Sequence, residues 1–229
     1  MTETPHERLT ATPADVLDLL PGMGRLMVIL RAGGATHERI GPVGTVSREG
    51  GAARITGECH DATLPLAPLV TVTLDRSSVM KDKVYPRLEF RDAAGQVLAA
   101  VVGMEGLEPF EAALAAFPRQ PEAAPEKPAR VERAELAGDD PACAPFEAIV
   151  ASGQPAEITA SAHGVSQSWQ GRIEAVKPAM GFLNVMTPDF HLHLEGGSVS
   201  DWRVEPGRRI ALDATGQPTG LCLASAAFA

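Results

Sequence analysis

The sequence predicts a predominantly antiparallel β protein of the α+β class, built from two homologous repeats that pack together, with few short helices. Turn-forming residues are in excess. Glycine and proline together make up 22 + 19 = 41 of 229 residues, or 18%, whereas an average chain has about 12%. A proline-rich segment divides the chain, and short motifs recur in the same order on both sides of it. Short apolar runs separated by turn residues are typical of strands.

Residues 118–145 form the segment that divides the chain. They hold six prolines and many charges, with almost no large apolar side chain. Because proline fixes φ and biases the preceding residue towards extended geometry, we expect a semi-rigid linker, with a short helical turn at 129–136. The predicted organisation is a first repeat at 1–117, a linker at 118–145 and a second repeat at 146–229. About 84 residues alone bury little core, so we expect the repeats to pack together.

The two repeats share a strand that runs into an Asp-Ala-x-Gly-Gln turn and then into a second apolar run. The turn begins at Asp92 in the first repeat and at Asp213 in the second. Asp favours turn initiation and Gly accepts a positive φ, so both stretches are predicted to be hairpins. Upstream matches follow in the same order and predict a diverged duplication; they pair Asp61 with Asp189, Gly34 with Gly164 and Gly41 with Gly171.

Runs of apolar and β-branched residues between turn residues place the individual strands. In the first repeat they lie at 25–30, 36–40, 54–57, 69–74, 88–91 and 97–102. In the second they lie at 157–162, 166–170, 181–185, 190–194, 199–203, 210–213 and 220–223. Three helices are predicted: 13–20, which Pro21-Gly22 ends, 107–117, which has Pro109 in its first turn, and 146–151.

Charge and cysteine usage exclude several classes of protein. Lys and Arg number 20 against 29 Asp and Glu, a balance of 20 − 29 = −9 that argues against non-specific binding to nucleic acid. The longest apolar runs, such as 97–102, are far shorter than the ~18 residues of a membrane span, and the polar residues 1–10 lack a signal-peptide core. Three cysteines without CxxC spacing predict reduced thiols in the cytoplasm; they are Cys59, Cys143 and Cys222.

Most catalytic templates are absent. The sequence has no P-loop, HExxH or GxSxG motif, and Gly22-Met-Gly24 precedes a strand rather than a helix. The carboxylates are scattered and indicate no paired acid and base. We therefore assign no catalytic residue and expect neither a hydrolase nor a transferase built on these residues.

Two histidines on one predicted strand are the most informative polar residues. In the stretch FHLHL at 190–194, period-two alternation points Phe190, Leu192 and Leu194 towards the core and His191 and His193 to the opposite face. Two imidazoles on one strand face can bind a metal or haem iron. A solvated strand face with two polar residues is the alternative.

The residues around these histidines resemble a known family. The segment VKPAMGFLNVMTPDFHLHL at 176–194, followed by a strand into Trp202, is similar to the haem-utilisation proteins of HemS/ChuX type. Their pattern has a Gly-Phe/Trp-Phe-Asn-Val stretch, a proline-containing turn and Phe-Asn-Leu-His-Leu. The hairpin at Asp92 and the helix at 107–117 are similarly placed, and the resemblance covers roughly 13–117 and 146–229. It implies large antiparallel sheets from a tandem repeat and a cytosolic carrier of haem used in iron acquisition. Some relatives are credited with haem breakdown.

The resemblance also implies which residues hold haem. Larger members ligate the iron with a His on the helix that opens the second repeat, and alignment places Cys143 there. Shorter members use a strand His, which corresponds to His193, whereas His191 replaces an Asn. Candidates for the haem propionates, which need cationic partners, are Lys177, Arg172 and Arg203 in the second repeat and Arg87, Lys81 and Lys83 in the first. Tyr85 is a further candidate donor to the ligand.

Three functions remain open at the level of the sequence. The first is a cytoplasmic haem transport protein that carries haem as cargo, with no independent metal, and exchanges it with an uptake transporter or a downstream haem-degrading enzyme. The second is a haem-degrading enzyme, which needs an open iron position for oxygen. The third is a diverged relative that binds no haem. None of the three involves nucleic acid or insertion into a membrane.

Overall fold

The computed structural model describes residues 5–124 and 135–228. The chain divides into two compact units. The first consists of Met1–Ile29 and Arg39–Ala129, and the second of Leu30–Glu38 and Arg130–Ala229. The helical turn predicted at 129–136 falls mostly outside the described residues. Of the helices that the structure describes, none is long and apolar enough to cross a membrane.

The first unit contains antiparallel strands and two short α-helices. Its strands are β1 His6–Leu9, β4 Thr45–Glu49, β5 Ala52–Thr56, β6 Asp61–Pro65, β7 Thr71–Asp75, β8 Val79–Met80, β9 Lys83–Val84, β10 Arg87–Arg91, β11 Val97–Gly103 and β12 Arg119–Pro121. Two further strands, β2 Arg25–Ala32 and β3 Ala35–Pro42, are shared between the units, because Leu30–Glu38 belongs to the second unit. The strands pair in the orders β12-β1-β7-β10-β11-β2 and β4-β5-β6, and β8 pairs with β9. The helices are α1 Pro13–Leu17 and α2 Glu108–Leu114.

Short helices of the first unit begin where the sequence signals predict. The side chain of Thr12 caps α1 by accepting a hydrogen bond from the Asp15 amide at 3.2 Å, and Pro13 occupies the first turn. In α2, Pro109 likewise lies in the first turn, and the buried face carries Phe110 and Leu114. Neither side chain of this buried pair is exposed to solvent, so α2 contributes to the core of the unit.

The second unit consists of one helix and two sets of strands. Its elements are α3 Cys143–Ser152, β13 Ala156–Ala162, β14 Val165–Gly171, β15 Lys177–Ala179, β16 Phe182–Met186, β17 Phe190–Glu195, β18 Asp201–Glu205, β19 Arg208–Leu212 and β20 Pro218–Ser225. The set β18-β19-β20-β13-β14 is antiparallel, and β15, β16 and β17 form a second antiparallel set in which β17 lies beside β3.

The core of the second unit packs around the aromatic ring of Phe190. This ring stacks on Trp169 with centroids 4.6 Å apart and contacts the His37 ring at 4.7 Å. Phe190 is fully buried, as are Leu192 and Leu194 on the same face of β17. The alternation predicted for 190–194 is therefore confirmed, and it leaves His191 and His193 on the opposite face.

The two Asp-Ala-x-Gly-Gln motifs form the same turn. Between β10 and β11, the Asp92 carboxylate accepts hydrogen bonds from the backbone amides two and four residues later, both at 2.9 Å. Between β19 and β20, the Asp213 carboxylate does the same at 2.8 and 3.0 Å. Gly95 and Gly216 have φ of 80° and 77°, a conformation that a side chain disfavours. The shared turn chemistry confirms the local part of the predicted repeat.

The proline-rich segment contains short regular elements at both ends. Arg119–Pro121 forms β12, which pairs with β1 at the edge of its sheet, a place that tolerates proline because one side of the strand needs no ladder bond. At the other end, α3 begins at Cys143, three residues before the predicted start, and the Asp140 side chain just before it accepts a hydrogen bond from the Ala142 amide at 2.8 Å. Residues 125–134 of the predicted linker lie outside the described residues.

Candidate functional site

The outward face of strands β16 and β17 carries the two histidines that the sequence singled out. His193 lies directly opposite Asn184, and His191 lies directly opposite Met186. Cross-strand partners point to the same side of a sheet, so these four side chains share one face. The imidazoles are partly exposed, with centroids 6.1 Å apart. We call this surface the histidine face.

Asn184 fixes the tautomer of the neutral His193 ring. Its side-chain nitrogen lies 2.9, 3.4 and 3.2 Å from the backbone oxygens of Lys177, Ala179 and Phe182, which can only accept hydrogen bonds. The amide oxygen of Asn184 must therefore face His193, where it lies 2.6 Å from Nδ1. Because this oxygen accepts, Nδ1 carries the proton. Nε2 of the neutral ring is left with its lone pair, which is the form that binds a metal.

Glu38 joins the histidine face from the neighbouring strand β3. Its Oε2 lies 3.4 Å from Nδ1 of His191 and 3.8 Å from Nε2 of His193. The Glu38 side chain is 14% exposed, whereas the His193 side chain is 32% exposed. The side-chain donor atoms of the three residues all lie within 4.8 Å of one another. This arrangement can hold a cation.

His37 determines which way Glu38 points. The His37 ring is fully buried, with Nε2 3.1 Å from the Ile158 oxygen and Nδ1 2.9 Å from the Gln167 side-chain nitrogen. The Gln167 nitrogen also donates to the His37 oxygen at 3.0 Å. Successive residues of a strand alternate between faces, so the buried His37 places Glu38 on the opposite, open face. A buried histidine with both nitrogens engaged is structural and is not available for ligand binding.

The cationic candidates of the second unit lie at different places. Lys177 is exposed on β15 directly opposite Asn184, so it shares a row with Asn184 and His193. Arg172 is exposed and lines a cavity of about 410 Å³ that also contacts Met186. Arg203 lies exposed on the edge strand β18. The strand pairing thus puts Lys177 in one row with His193.

Cys143 opens α3 and packs partly against the apolar core of the unit. Burial raises the pKa of its thiol, and the nearby carboxylates of Asp140 and Glu147 raise it further. Since the thiolate is the form that ligates iron, ligation by Cys143 at neutral pH requires a deprotonation that its surroundings disfavour.

The candidates of the first unit are engaged in local contacts. Tyr85 is partly buried, and the Lys83 ammonium lies 5.5 Å from the centre of its ring while donating to the Met104 oxygen at 2.8 Å. Arg87 pairs with Glu89 at 2.8 Å. Lys81 is exposed and has a positive φ of 48°. These residues belong to a different unit from the histidine face.

Two residues of the histidine face were missed by the sequence reasoning. Asn184 stood inside the motif that carried the family resemblance, but no role was assigned to it. Glu38 carried a signal in the alternation of the strand predicted at 36–40, yet nothing in the sequence showed that β3 lies beside β17. Sequence spacing alone could not have brought the two strands together.

No family model matches the chain, and no curated protein matches it. Solved structures match the chain. The Escherichia coli haem oxygenase ChuS is 18% identical, with a TM-score of 0.76, over 96% of this chain and 83% of that one. Holo-PhuS, a haem-binding protein from Pseudomonas aeruginosa, is 20% identical, with a TM-score of 0.75, over 97% and 82%.

The chain has the ChuS/PhuS fold. The apo form of PhuS gives the same result, with a TM-score of 0.73 at 18% identity over 97% of this chain. The predicted fold class, with antiparallel sheets and three short α-helices in the described residues, is therefore confirmed. At this level of identity the likeness concerns the fold.

Proposed function

We propose that the chain binds haem as cargo on the histidine face, with His193 Nε2 as the ligand to the iron. The observation that carries this proposal is the hydrogen bond from His193 Nδ1 to Asn184 Oδ1, which leaves Nε2 unprotonated on a partly exposed ring. Haem iron is held by the neutral imidazole nitrogen of a proximal His in many proteins. The solved structures of the same fold include proteins described as haem-binding and haem-degrading, which supports haem as the ligand.

The surroundings of His193 suit a flat apolar ligand. The Phe182 ring lies edge-on to the His193 ring, with centroids 6.4 Å apart, and Met186 is 58% exposed on the same face. Covering exposed apolar side chains on a sheet face with a ligand removes apolar surface from water, which favours binding. Because His191 lies opposite Met186, one step along the face from His193, it contacts the edge of the same ligand.

Charge on the histidine face gives haem an orientation. Lys177 lies two interstrand spacings from β17, or about 10 Å, in the row of His193. Glu38 lies on the opposite side, on β3. Propionates are attracted to the ammonium and repelled by the carboxylate, so we place them towards β15.

A haemin titration followed by absorption spectroscopy tests the proposal. We expect a saturable spectral change at one haem per chain. The His193→Gln variant should shift the ferric spectrum and weaken binding by at least ~10-fold, since it removes the bond to iron. His191→Gln should change affinity less. His163→Asn is the matched control, because His163 is an exposed histidine in a turn with a φ of 53°, which Asn tolerates. An unchanged spectrum and affinity in His193→Gln would refute His193 as the ligand.

Haem degradation is the second candidate function, because two solved structures of the same fold are described as a haem oxygenase and a haem-degrading enzyme. A carrier protects its cargo, whereas an enzyme consumes oxygen and a reductant and releases iron. Addition of ascorbate and oxygen to the haem-loaded chain separates the two functions. Stable haem absorption indicates a carrier, and loss of the tetrapyrrole bands with iron release indicates an enzyme.

We place this function in the cytoplasm, in the use of imported haem as an iron source. The three cysteines are free thiols, which fits a reducing compartment. A carrier in this position receives haem from an uptake transporter and delivers it to a downstream degrading enzyme. Transfer of haem from the loaded chain to such an enzyme in a mixed, spectroscopically monitored sample tests this part of the proposal.

A further inference from the structure

We propose that Glu38, His191 and His193 form a site for a first-row divalent transition metal ion that is independent of haem. The donor atoms are Glu38 Oε2, His191 Nδ1 and His193 Nε2. Two imidazoles and one carboxylate form a donor set that suits ions such as zinc, cobalt and ferrous iron. Magnesium and calcium prefer sites made of oxygen alone, so this set selects against them.

The separations of the donor atoms match the size of such an ion. At metal–ligand bonds of about 2.0–2.1 Å, two ligands of a tetrahedral ion lie about 3.3 Å apart. Glu38 Oε2 lies 3.4 Å from His191 Nδ1 and 3.8 Å from His193 Nε2. All three donor atoms lie within 4.8 Å of one another, so side-chain rotations can bring them around one ion. The remaining positions face the open side of the sheet, where water can occupy them.

The tautomer of His193 is compatible with metal binding. The Asn184 oxygen holds the proton of His193 on Nδ1, so Nε2 faces Glu38 with its lone pair. A hydrogen bond from the second ring nitrogen is the usual support of a metal-binding histidine. A carboxylate ligand adds negative charge to the site, which a divalent ion compensates.

The backbone that carries the ligands is held in place before any ion binds. His191 and His193 lie on β17, which pairs with β16 along its length and lies beside β3. Glu38 follows His37, whose ring is fixed by hydrogen bonds to Ile158 and Gln167. Ligands on paired strands are positioned more precisely than ligands on loops, so metal binding requires no rearrangement of the main chain.

This inference does not depend on haem binding, although both ligands use His193. One nitrogen can bond to only one metal, so haem and the divalent ion exclude each other at Nε2. Haem binding and binding of the divalent ion differ in the residues that they require besides His193. Glu38 is a ligand only for the divalent ion, and His191 is essential only for it.

Titration of the haem-free, metal-free chain with Zn²⁺ in a calorimeter tests the inference, and Co²⁺ absorption reports the coordination. We expect one Zn²⁺ per chain. Glu38→Gln, His191→Gln and His193→Gln should each weaken binding by at least ~10-fold. Two controls should leave binding unchanged. Glu195→Gln removes a carboxylate from the same strand, and His6→Gln removes an imidazole that lies 3.5 Å from the carboxylate of Asp75 in the other unit.

The haemin titration of the same variants separates this inference from the proposed function. Glu38→Gln should lose Zn²⁺ binding and keep haem binding, whereas His193→Gln should lose both. Haem binding without stoichiometric Zn²⁺ binding would overturn the metal site alone, and Zn²⁺ binding without haem binding would overturn the haem proposal alone. If Glu38→Gln unfolds, the His191→Gln variant decides, because it removes another ligand of the same site: loss of stoichiometric Zn²⁺ binding in this folded variant supports the inference, and unaltered binding overturns it. Binding of Zn²⁺ that is unaltered in a folded Glu38→Gln variant also overturns the inference.

Discussion

Replacement of Asn184 is the most direct test of how the histidine face is organised. In the Asn184→Ala variant, Nδ1 of His193 loses the acceptor that lies 2.6 Å away. The proton of the neutral ring is then free to move to Nε2, which removes the lone pair that a metal needs. Removal of such a supporting partner lowers metal affinity by about 10–100-fold.

The same substitution lowers the stability of the second unit. The Asn184 nitrogen donates to the Lys177 oxygen at 2.9 Å and to the Phe182 oxygen at 3.2 Å, and the residue is 9% exposed. Loss of these bonds costs about 1–3 kcal/mol if the carbonyl oxygens remain buried without a donor. Stability and affinity must therefore be measured separately.

Asn184→Asp is the matched control, because it keeps the oxygen that faces His193. Its second carboxylate oxygen replaces the nitrogen and faces the backbone oxygens at Lys177 and Ala179, so stability should fall as in the alanine variant. The proton should nevertheless stay on His193 Nδ1. Chemical shifts of the ¹⁵N-labelled imidazole report which nitrogen carries the proton, and chemical denaturation reports stability.

If His193 keeps its proton on Nδ1 in Asn184→Ala and binds haemin and Zn²⁺ as the wild type does, then Asn184 does not orient the ring. If the proton leaves Nδ1 in Asn184→Asp but not in Asn184→Ala, then the charges on the histidine face, rather than the hydrogen bond to Asn184, decide which nitrogen of His193 carries the proton.

Three further predictions concern stability. Burial lowers the pKa of His60 although its ring donates to a backbone oxygen at 2.9 Å. The unfolded chain therefore binds more protons than the folded chain, and the free energy of unfolding should fall as pH drops below about 6.5. Urea unfolding at pH 7.5 and 5.5 measures this fall, which should be smaller in His60→Gln. Phe190→Ala should lower the free energy of unfolding by about 3–5 kcal/mol, because the ring is fully buried; a loss below about 1 kcal/mol contradicts its central place in the core. Gly220→Ala should destabilise more than Gly216→Ala in thermal melts, because both have positive φ but only at Gly220 does an added Cβ overlap a neighbouring backbone oxygen.

The strand alternation and the turns of the fold could be predicted from the sequence. Phe190 is buried and His191 is not because period two is a local property of a strand, visible in five consecutive residues. Asp92 and Asp213 could be equated because their turns depend on one carboxylate and one glycine within five residues. Such features need no knowledge of distant partners.

The partners of the histidine face could not be predicted in the same way. Glu38 precedes His191 by about 150 residues in the chain, and their contact depends on β3 lying beside β17. The short strands β1 and β12 were missed for a related reason. Their sequences are polar, and pairing with each other and with β7 makes them strands.

Three histidines of the second unit show that burial and pairing decide what an imidazole does. His37 has no exposed surface and uses both nitrogens in hydrogen bonds within the core, so it orients a strand and binds nothing else. His191 lies 3.4 Å from Glu38, and none of residues 5–124 and 135–228 gives its ring a second hydrogen-bond partner comparable to Asn184. His193 alone combines partial exposure, a defined tautomer and a neighbouring carboxylate. A ligand that needs one well-oriented nitrogen therefore depends chiefly on His193, and a ligand that needs three donors depends equally on His191 and Glu38.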